Sequence, residues 1–144
     1  MPSRFYEQNV RSGLKNKRKL SAYLDKLVQK HRRSITKASF TYIFCSDEAL
    51  LAMNTQFLNH DTYTDIITFD LSGSPTELAG EVYISIDRVK ENAQTFEKTY
   101  ENELHRVIFH GALHLCGFKD KTKTDKAEMR TQEDKCLEQY NKEQ

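Results

Sequence analysis

Residues 110–120 read His-Gly-Ala-Leu-His-Leu-Cys-Gly-Phe-Lys-Asp, and this stretch decides both the fold and the candidate site. His110 and His114 are four residues apart. On a helix their imidazoles therefore project from the same face, one turn apart. Gly117 tolerates the left-handed backbone with which many helices end, so the chain can turn back there. Asp120 follows that turn and is placed to approach the two imidazoles.

This spacing predicts a metal centre with His110, His114 and Asp120 as ligands. Three protein ligands with an open fourth position are typical of a catalytic rather than a structural zinc site. The other residues from Val107 to Cys116 are apolar or glycine, which indicates a buried helix in which an unpartnered imidazole is unfavourable. The alternative is a pair of core histidines hydrogen-bonded to protein carboxylates. The glycine and the carboxylate that follows it favour the metal.

The composition indicates an ordinary globular chain that forms a single domain over residues 1–144. It is 38% hydrophobic and 30% charged, with few prolines and glycines. No apolar run approaches the roughly 20 residues that a membrane span needs. The N-terminus lacks the apolar core of a secretion signal, so we expect a cytoplasmic location without membrane association. Cys45, Cys116 and Cys136 are odd in number and far apart, which argues against a disulfide framework.

The charge is distributed unevenly along the chain. Residues 1–40 carry 11 Lys and Arg against 2 Asp and Glu, whereas residues 41–144 carry 11 against 19. A basic segment beside a hydrolytic centre favours a polyanionic substrate, through phosphate contacts and steering. An ordinary solvated helix face is the alternative. The charge alone therefore does not establish nucleic-acid binding.

Hydrophobic periodicity predicts an α+β fold, a small mixed sheet of about four strands packed against about five helices. The expected elements, in order, are a strand over 4–10, a helix over 17–31, a strand over 38–45, a helix from 46 to about 57, strands over 65–71 and 81–86, and helices over about 87–99, 101–116 and 124–140. The short, turn-rich connection between the third and fourth strands implies an antiparallel pair. The helix of the two histidines is expected to pack on the sheet, with its ion near the sheet edge.

Several side chains are expected to be structural. Phe40, Tyr42 and Phe44 alternate with the period of a strand, so we expect them in the core rather than in a base-stacking platform. Cys116 lies on the opposite side of the helix from His114 and is also expected in the core. The remaining histidines are expected at the surface or at helix ends: His31, His60 and His105.

Three blocks of the sequence resemble signatures of the YbeY family of endoribonucleases, the rRNA maturation factors. The signature H-G-x-L-H-L-x-G-[YF]-x-H matches residues 110–120 except at its end, where Asp120 replaces a histidine. The family's N-x-x-[YF]-R…T-D-V-L-S-F is similar to residues 54–58 and 64–69, and its G-[DE]-[IV]-x-I-S is similar to residues 80–85.

The resemblance implies a small α+β fold, one Zn²⁺ per chain and single-strand-specific hydrolysis of RNA. The implied roles are 16S rRNA 3′-end maturation and ribosome quality control, with rRNA and ribosomal particles as partners. In the expected mechanism, zinc on His110, His114 and Asp120 activates a water that attacks an RNA phosphodiester. The basic helix around residues 15–33 is expected to hold the RNA backbone. The general base and the oligomeric state stay open.

Two departures from the family pattern affect this chemistry. Asp120 lowers the formal charge of the site by one relative to a histidine, so a bound water is activated less strongly, although both side chains are ordinary zinc ligands. Leu58 stands where the family has an arginine, a natural phosphate-binding group. Arg106, one turn before His110, is a candidate for phosphate contact. The alternative for Arg106 is an ion pair with Glu103.

Two rival functions come from other classes. A zinc peptidase of the metzincin type has similar histidine spacing but places a glutamate base directly after the first histidine, where this chain has Gly111. The second rival is a non-catalytic ribosome-assembly or RNA-binding factor in which the metal only stabilises the fold. The missing arginine and the lack of an identified base support this second rival, whereas Gly111 argues against the peptidase. Multiple turnover on a defined RNA would separate it from an enzyme.

Overall fold

The structure is a computed structural model that describes residues 3–58 and 64–143. In chain order the elements are β1 (Arg4–Glu7), α1 (Lys17–His31), β2 (Lys37–Cys45), α2 (Asp47–Leu58), β3 (Ile66–Asp70), β4 (Glu77–Ser85), α3 (Ile86–Thr95), α4 (Tyr100–Leu115) and α5 (Lys123–Lys142). The described residues thus form one four-stranded sheet and five helices, and the predicted α+β fold is confirmed.

The sheet is mixed, with the strand order β1-β2-β4-β3. β1 pairs with β2 and β2 with β4 in parallel, whereas β3 and β4 are antiparallel, as the short connection between them predicted. β3 therefore lies at one edge of the sheet. Ile66, its first residue, lies opposite Ile84 of β4. Residues that immediately precede Ile66 consequently lie at the end of this edge strand.

The two faces of the sheet carry two separate apolar clusters, because successive strand residues point to opposite faces. On one face, Phe40, Tyr42 and Phe44 are buried against α1, α3, α4 and α5, and their predicted core position is confirmed. On the other face, α2 covers a smaller cluster that includes Leu50 and Ile67. Most of the helical mass, including the helix of the two histidines, therefore lies on one side of the sheet.

α4 approaches the sheet so closely that one position requires glycine. A Cβ atom on Gly111 would lie 2.8 Å from Cγ1 of Val82 and 3.1 Å from Cδ1 of Ile66. Oη of Tyr42 also donates a hydrogen bond of 3.0 Å to the carbonyl oxygen of Ile108. These contacts fix α4 against β3 and β4, and they place the first histidine of the motif beside the edge strand.

Some element boundaries differ from the sequence prediction. β1 ends at Glu7 rather than at residue 10, because Asn9 has a φ of 58°, in the left-handed region that a strand does not use. β4 begins at Glu77 rather than at residue 81, because Glu77 already pairs with Lys37 of β2. In both cases the boundary depends on local backbone geometry or on pairing with a distant strand, which side-chain periodicity does not report.

The remaining histidines lie in different environments. The prediction for His105 was wrong: it is only 6% exposed and packs edge-on against Tyr140 and beside Phe109. His31 lies at the end of α1, as expected, and its ring packs edge-on against Phe118 at 5.0 Å. The prediction for His60 falls outside the described residues.

The three cysteines all lie in the interior of the protein. Cys45, Cys116 and Cys136 are buried and free, as the argument against a disulfide framework required, and Cys116 belongs to the main core. No helix within residues 3–58 and 64–143 is both long and apolar enough to cross a membrane.

Candidate functional site

The end of α4 reverses the chain as the sequence predicted. The helix ends at Leu115, and Gly117 has a φ of 111°, a conformation that side chains disfavour. The backbone N–H groups of Gly117 and Phe118 donate to the carbonyl oxygens of His114 and Leu113 at 3.0 and 3.1 Å. These two bonds satisfy the end of the helix and direct the following loop back over it, towards His110.

His110 lies between two carboxylates. Its Nδ1 is 2.7 Å from Oε2 of Glu133, and its Nε2 is 3.2 Å from Oδ2 of Asp120. Because Glu133 accepts a hydrogen bond from Nδ1, it favours the tautomer whose Nε2 lone pair points towards Asp120. A metal-binding histidine is usually held in this way, with its other ring nitrogen donating to a carboxylate.

The distance between His110 and Asp120 tests whether the pair fits a zinc ion. Two ligand atoms on a tetrahedral zinc, each about 2.0–2.2 Å from the ion, lie roughly 3.3–3.6 Å from each other. The observed separation of 3.2 Å between Nε2 and Oδ2 is close to this range. The chemistry of the two donors and their separation therefore fit a shared ion.

His114 does not join this pair. Its side chain is exposed, one turn further along α4, so the expectation that both imidazoles are buried is wrong for His114. Within the part of the chain that the structure describes, no three His, Cys, Asp or Glu side chains are grouped so that they could hold an ion. The structure thus brings together His110 and Asp120, and the set of three ligands stays a prediction.

Glu133 is a site residue that the sequence reasoning missed. It is only 5% exposed, and besides His110 it bonds Nη1 of Arg106 at 2.9 Å. One signal could have revealed it. Met129, Cys136 and Tyr140 form the buried stripe of α5, and position 133 falls within that stripe at helical spacing. A charged residue on a buried helix face requires a partner, so it marks a candidate site.

Arg106 is held by two carboxylates of α5. Besides Glu133, its Nη2 bonds Oδ1 of Asp134 at 2.7 Å. The ion pair with Glu103 considered from the sequence is therefore not the one formed, because α5 supplies acceptors that lie closer to the guanidinium. The positive charge of Arg106 is largely balanced within the protein.

Negative charge predominates around His110. Burial acts to lower the pKa of His110, but the hydrogen bond to Glu133 and the charges of Glu133, Asp120 and Asp65 outweigh it, so the pKa lies above its ordinary value. Burial raises the pKa of Asp65, and His110 partly opposes this shift. Burial likewise raises the pKa of Glu103, which Arg106 opposes. A bound cation would relieve the mutual repulsion of these carboxylates.

An open cavity of about 430 Å³ adjoins the pair formed by His110 and Asp120. Its volume lies within the roughly 300–1,000 Å³ typical of ligand pockets. Thr64 and Asp65, from the block that precedes β3, are among the lining residues. Besides Ile66 of β3 and the pair itself, the lining comes from α3 and the residue that follows it, from α4 and from α5: Asn92, Phe96, Glu103, Arg106, Val107, Lys126, Met129, Arg130 and Glu133. The side chain of Leu58 lies outside the described part of the structure, so its position relative to this cavity stays a prediction.

The fold and the site define a small α+β protein in which a polar cavity adjoins a histidine–carboxylate pair, an arrangement suited to metal-dependent hydrolysis. A family model described as endoribonuclease YbeY matches residues 6–141, and the chain belongs to this family. The family predicted from the sequence is therefore confirmed. The predicted enzyme class, a hydrolase acting on RNA, is the one that the family's description names.

Relatives of similar length carry the same description. The chain is 47% identical over 133 residues to endoribonuclease YbeY of Cytophaga hutchinsonii, and the match covers 92% of each chain. It is 44% identical to endoribonuclease YbeY of Porphyromonas gingivalis, with 92% of this chain and 86% of the relative covered. The solution structure of a Thermotoga maritima protein matches with a TM-score of 0.59 and 28% identity, over 96% of this chain and 88% of that one.

Proposed function

We propose that this chain acts as a single-domain, zinc-dependent endoribonuclease on single-stranded RNA in the cytoplasm. Its proposed roles are 16S rRNA 3′-end maturation and ribosome quality control, with ribosomal particles as partners. Family membership supports RNA cleavage in rRNA processing. One observation carries the chemical part of the proposal: Nε2 of His110 and Oδ2 of Asp120 converge, while Glu133 holds the other ring nitrogen.

His110, His114 and Asp120 would hold one zinc ion, with His114 reaching the ion from the next turn of α4. Bound zinc supplies Lewis-acid stabilisation of charge on the phosphoryl group and lowers the pKa of a water. Glu133 fixes the orientation and tautomer of His110 through Nδ1, and Arg106 in turn fixes Glu133. The carboxylate of Asp120 makes the site less positive than three imidazoles would.

The basic helix α1 supports RNA binding through its C-terminal end. The ring of His31 contacts that of Phe118, which lies in the loop between Gly117 and Asp120. Arg32 and Arg33 follow His31 directly, so their charges lie near the loop that carries a proposed ligand. Cationic side chains at such a position favour binding of an RNA backbone through phosphate contacts.

Two other cations of α1, Lys19 and Lys26, already have protein partners. Nζ of Lys19 lies 4.3 Å from the centre of the Tyr140 ring, and Nζ of Lys26 is 3.2 Å from Oε1 of Glu143. These two lysines contact the C-terminal half of α5 rather than the cavity. The proposed role in RNA binding therefore belongs to the end of α1 and not to its whole basic surface.

Elemental analysis combined with an RNA cleavage assay tests the proposal. His114→Ala and Asp120→Ala should each lose bound zinc and cleavage of a defined single-stranded RNA. Glu48→Ala is a matched control, because Glu48 is an exposed carboxylate in α2, on the other face of the sheet. Full cleavage by a metal-free His114→Ala protein would refute the metal mechanism.

The structure bears differently on the two rival functions, a zinc peptidase and a non-catalytic RNA-binding factor. A peptidase requires a glutamate at position 111, and a side chain there would collide with Val82, so no observation favours this rival. The exposure of His114 and the neutralised charge of Arg106 leave a non-catalytic RNA-binding factor as the second candidate. Multiple turnover on a labelled RNA supports the enzyme, whereas stoichiometric binding without product supports the binding factor.

A further inference from the structure

The cavity beside the histidine–carboxylate pair has two opposite walls that the mechanism above does not use. Asn92 and Phe96, at the C-terminal end of α3, form one wall. Lys126, Met129 and Arg130, in the N-terminal half of α5, form the other. We call the space between these five residues the α3–α5 groove. α4 forms its floor, so the groove leads directly to the proposed metal ligands.

Phe96 is an aromatic side chain with a free surface at the rim of this groove. It follows the last residue of α3, and the next residue, Glu97, turns the backbone with a φ of 55°. The Phe96 side chain is 50% exposed. Single exposed phenylalanines are common on protein surfaces and do not by themselves indicate a binding site. Phe96, however, borders a polar cavity, where a flat ring can stack on the face of a nucleic-acid base.

The opposite rim carries two cations. Lys126 and Arg130 are four residues apart on α5, so they project from the same side of the helix, and both are exposed. Neither forms an ion pair with another residue in the ranges that the structure describes. Arg106, by contrast, is bound to Glu133 and Asp134 at the floor. The cations available for an outside anion are therefore at the rim.

The carboxylates that line the cavity do not prevent an anion from binding at Lys126 and Arg130. Glu133 is neutralised by Arg106 and His110, and Asp120 is a proposed ligand of a cation. Asp65 also lines the cavity, and its side chain is partly buried. A strand bound in the groove would thus meet positive charge at α5 and an aromatic face at α3, with its scissile bond directed to the floor.

We propose that the α3–α5 groove is a nucleotide subsite for single-stranded RNA, in which the Phe96 ring stacks on one base while Lys126 and Arg130 bind the adjacent phosphate. The inference rests on the proposed RNA-cleaving function and adds a second contact region to the basic end of α1. Only an unpaired base exposes a free face, so stacking on Phe96 selects single strands. Lys126 and Arg130 also supply the phosphate contact that Leu58 cannot make.

Fluorescence anisotropy of a labelled single-stranded RNA, read before cleavage accumulates, tests the subsite. Phe96→Ala should raise Kd roughly 5- to 160-fold, because stacking of a base on an aromatic side chain contributes about 1–3 kcal/mol. Lys126→Ala and Arg130→Ala should each reduce the slope of log K against log salt by about 0.7. Two matched controls should leave binding unchanged. Tyr6→Ala removes a ring that is 49% exposed on β1, and Lys90→Ala removes an exposed charge of α3 outside the groove.

The outcomes separate the subsite from the proposed function. If the wild type binds and cleaves RNA while Phe96→Ala keeps the wild-type Kd and both charge variants keep its salt slope, the subsite is wrong and the function stands. If the wild type neither binds nor cleaves RNA, both fail. If Phe96→Ala does not fold, Phe96→Leu replaces it in the assay, because leucine keeps most of the apolar side chain but has no ring. Phe96→Leu must then weaken RNA binding. Photo-cross-linking of 4-thiouridine RNA to the wild type must then label the Phe96 peptide, and its absence would overturn the subsite.

Discussion

Glu133→Gln tests how the proposed metal site is oriented. The carboxylate of Glu133 accepts one hydrogen bond from Nη1 of Arg106 at 2.9 Å and one from Nδ1 of His110 at 2.7 Å. A glutamine has the same size, but its end carries one acceptor oxygen and one NH₂ donor. One of the two donors, on Arg106 or on His110, must therefore face an NH₂ group. Free His110 can relieve the conflict by changing tautomer, which moves its proton to the nitrogen proposed to bind zinc.

The magnitude follows from the two partners that are disturbed. Loss of a partner that orients a ligand lowers metal affinity by roughly 10- to 100-fold, or about 1.4–2.8 kcal/mol. In the metal-free protein, a hydrogen bond to a charged group contributes about 1.5–3 kcal/mol. Asp134 still pairs with Arg106 after the substitution. We therefore expect the free energy of unfolding to fall by about 2 kcal/mol, less than the roughly 3–5 kcal/mol that removing one partner of a buried ion pair costs.

Competition with a chromophoric chelator gives the zinc affinity, and urea unfolding of the metal-free protein gives the stability. Asp134→Asn is the matched control, because Asp134 binds the same guanidinium of Arg106 but does not touch His110. It should lower stability slightly and leave zinc affinity unchanged. A folded Glu133→Gln protein with wild-type zinc affinity would refute the orienting role of Glu133.

Three further predictions concern the fold around the site. Gly111→Ala places a Cβ 2.8 Å from Cγ1 of Val82, so it should lower the free energy of unfolding by about 1–3 kcal/mol. In the double variant Gly111→Ala/Val82→Ala, the loss should be smaller than the sum of the two single losses, and strictly additive losses in urea unfolding would contradict the clash. Burial lowers the pKa of His105 below its ordinary 6.5, so the folded state binds this proton less readily than the unfolded chain. Stability is therefore lost as pH falls from 6.5 through the lower folded-state pKa. His105→Phe should lessen this loss, and a variant whose free energy of unfolding has the same pH dependence as the wild type would contradict the prediction. Tyr42→Phe removes a buried hydrogen bond and should lower the free energy of unfolding by about 1 kcal/mol. The buried hydroxyl of Tyr140 has no partner among the described residues, so Tyr140→Phe should not lower it. Equal losses for the two variants in denaturant titrations would contradict this distinction.

Periodicity predicted those elements whose buried face is continuous in the sequence. α1 runs from Lys17 to His31 as expected, because Leu20, Leu24 and Leu27 repeat at helical spacing and all three are buried. The alternating aromatic residues of β2 likewise predicted both the strand and its core face. In these segments local propensity and tertiary burial favour the same structure, so the sequence alone was sufficient.

The parts that the sequence did not predict depend on contacts between distant segments. His105 looked like a surface residue because charged residues surround it in the sequence, yet α5 brings Tyr140 onto its ring. Glu133 lies 23 positions from His110, and only the packing of α5 on α4 joins them. The exposure of His114 also could not be read from its apolar neighbours. α4 ends at Leu115, so His114 lies in the last turn of the helix, where its burial depends on neighbours from other segments of the chain.

Gly111 connects the fold of this family member to the chemistry that its site can perform. In a metzincin the residue after the first histidine supplies the catalytic base, but here a side chain at that position would collide with Val82 and Ile66. Any carboxylate that assists hydrolysis must therefore approach from the cavity. Asp65 enters it from the end of the edge strand and Glu103 from the first turn of α4. The close packing of α4 on the sheet thus disfavours the peptidase arrangement and leaves the site open only on the side of the cavity, within the residues that the structure describes.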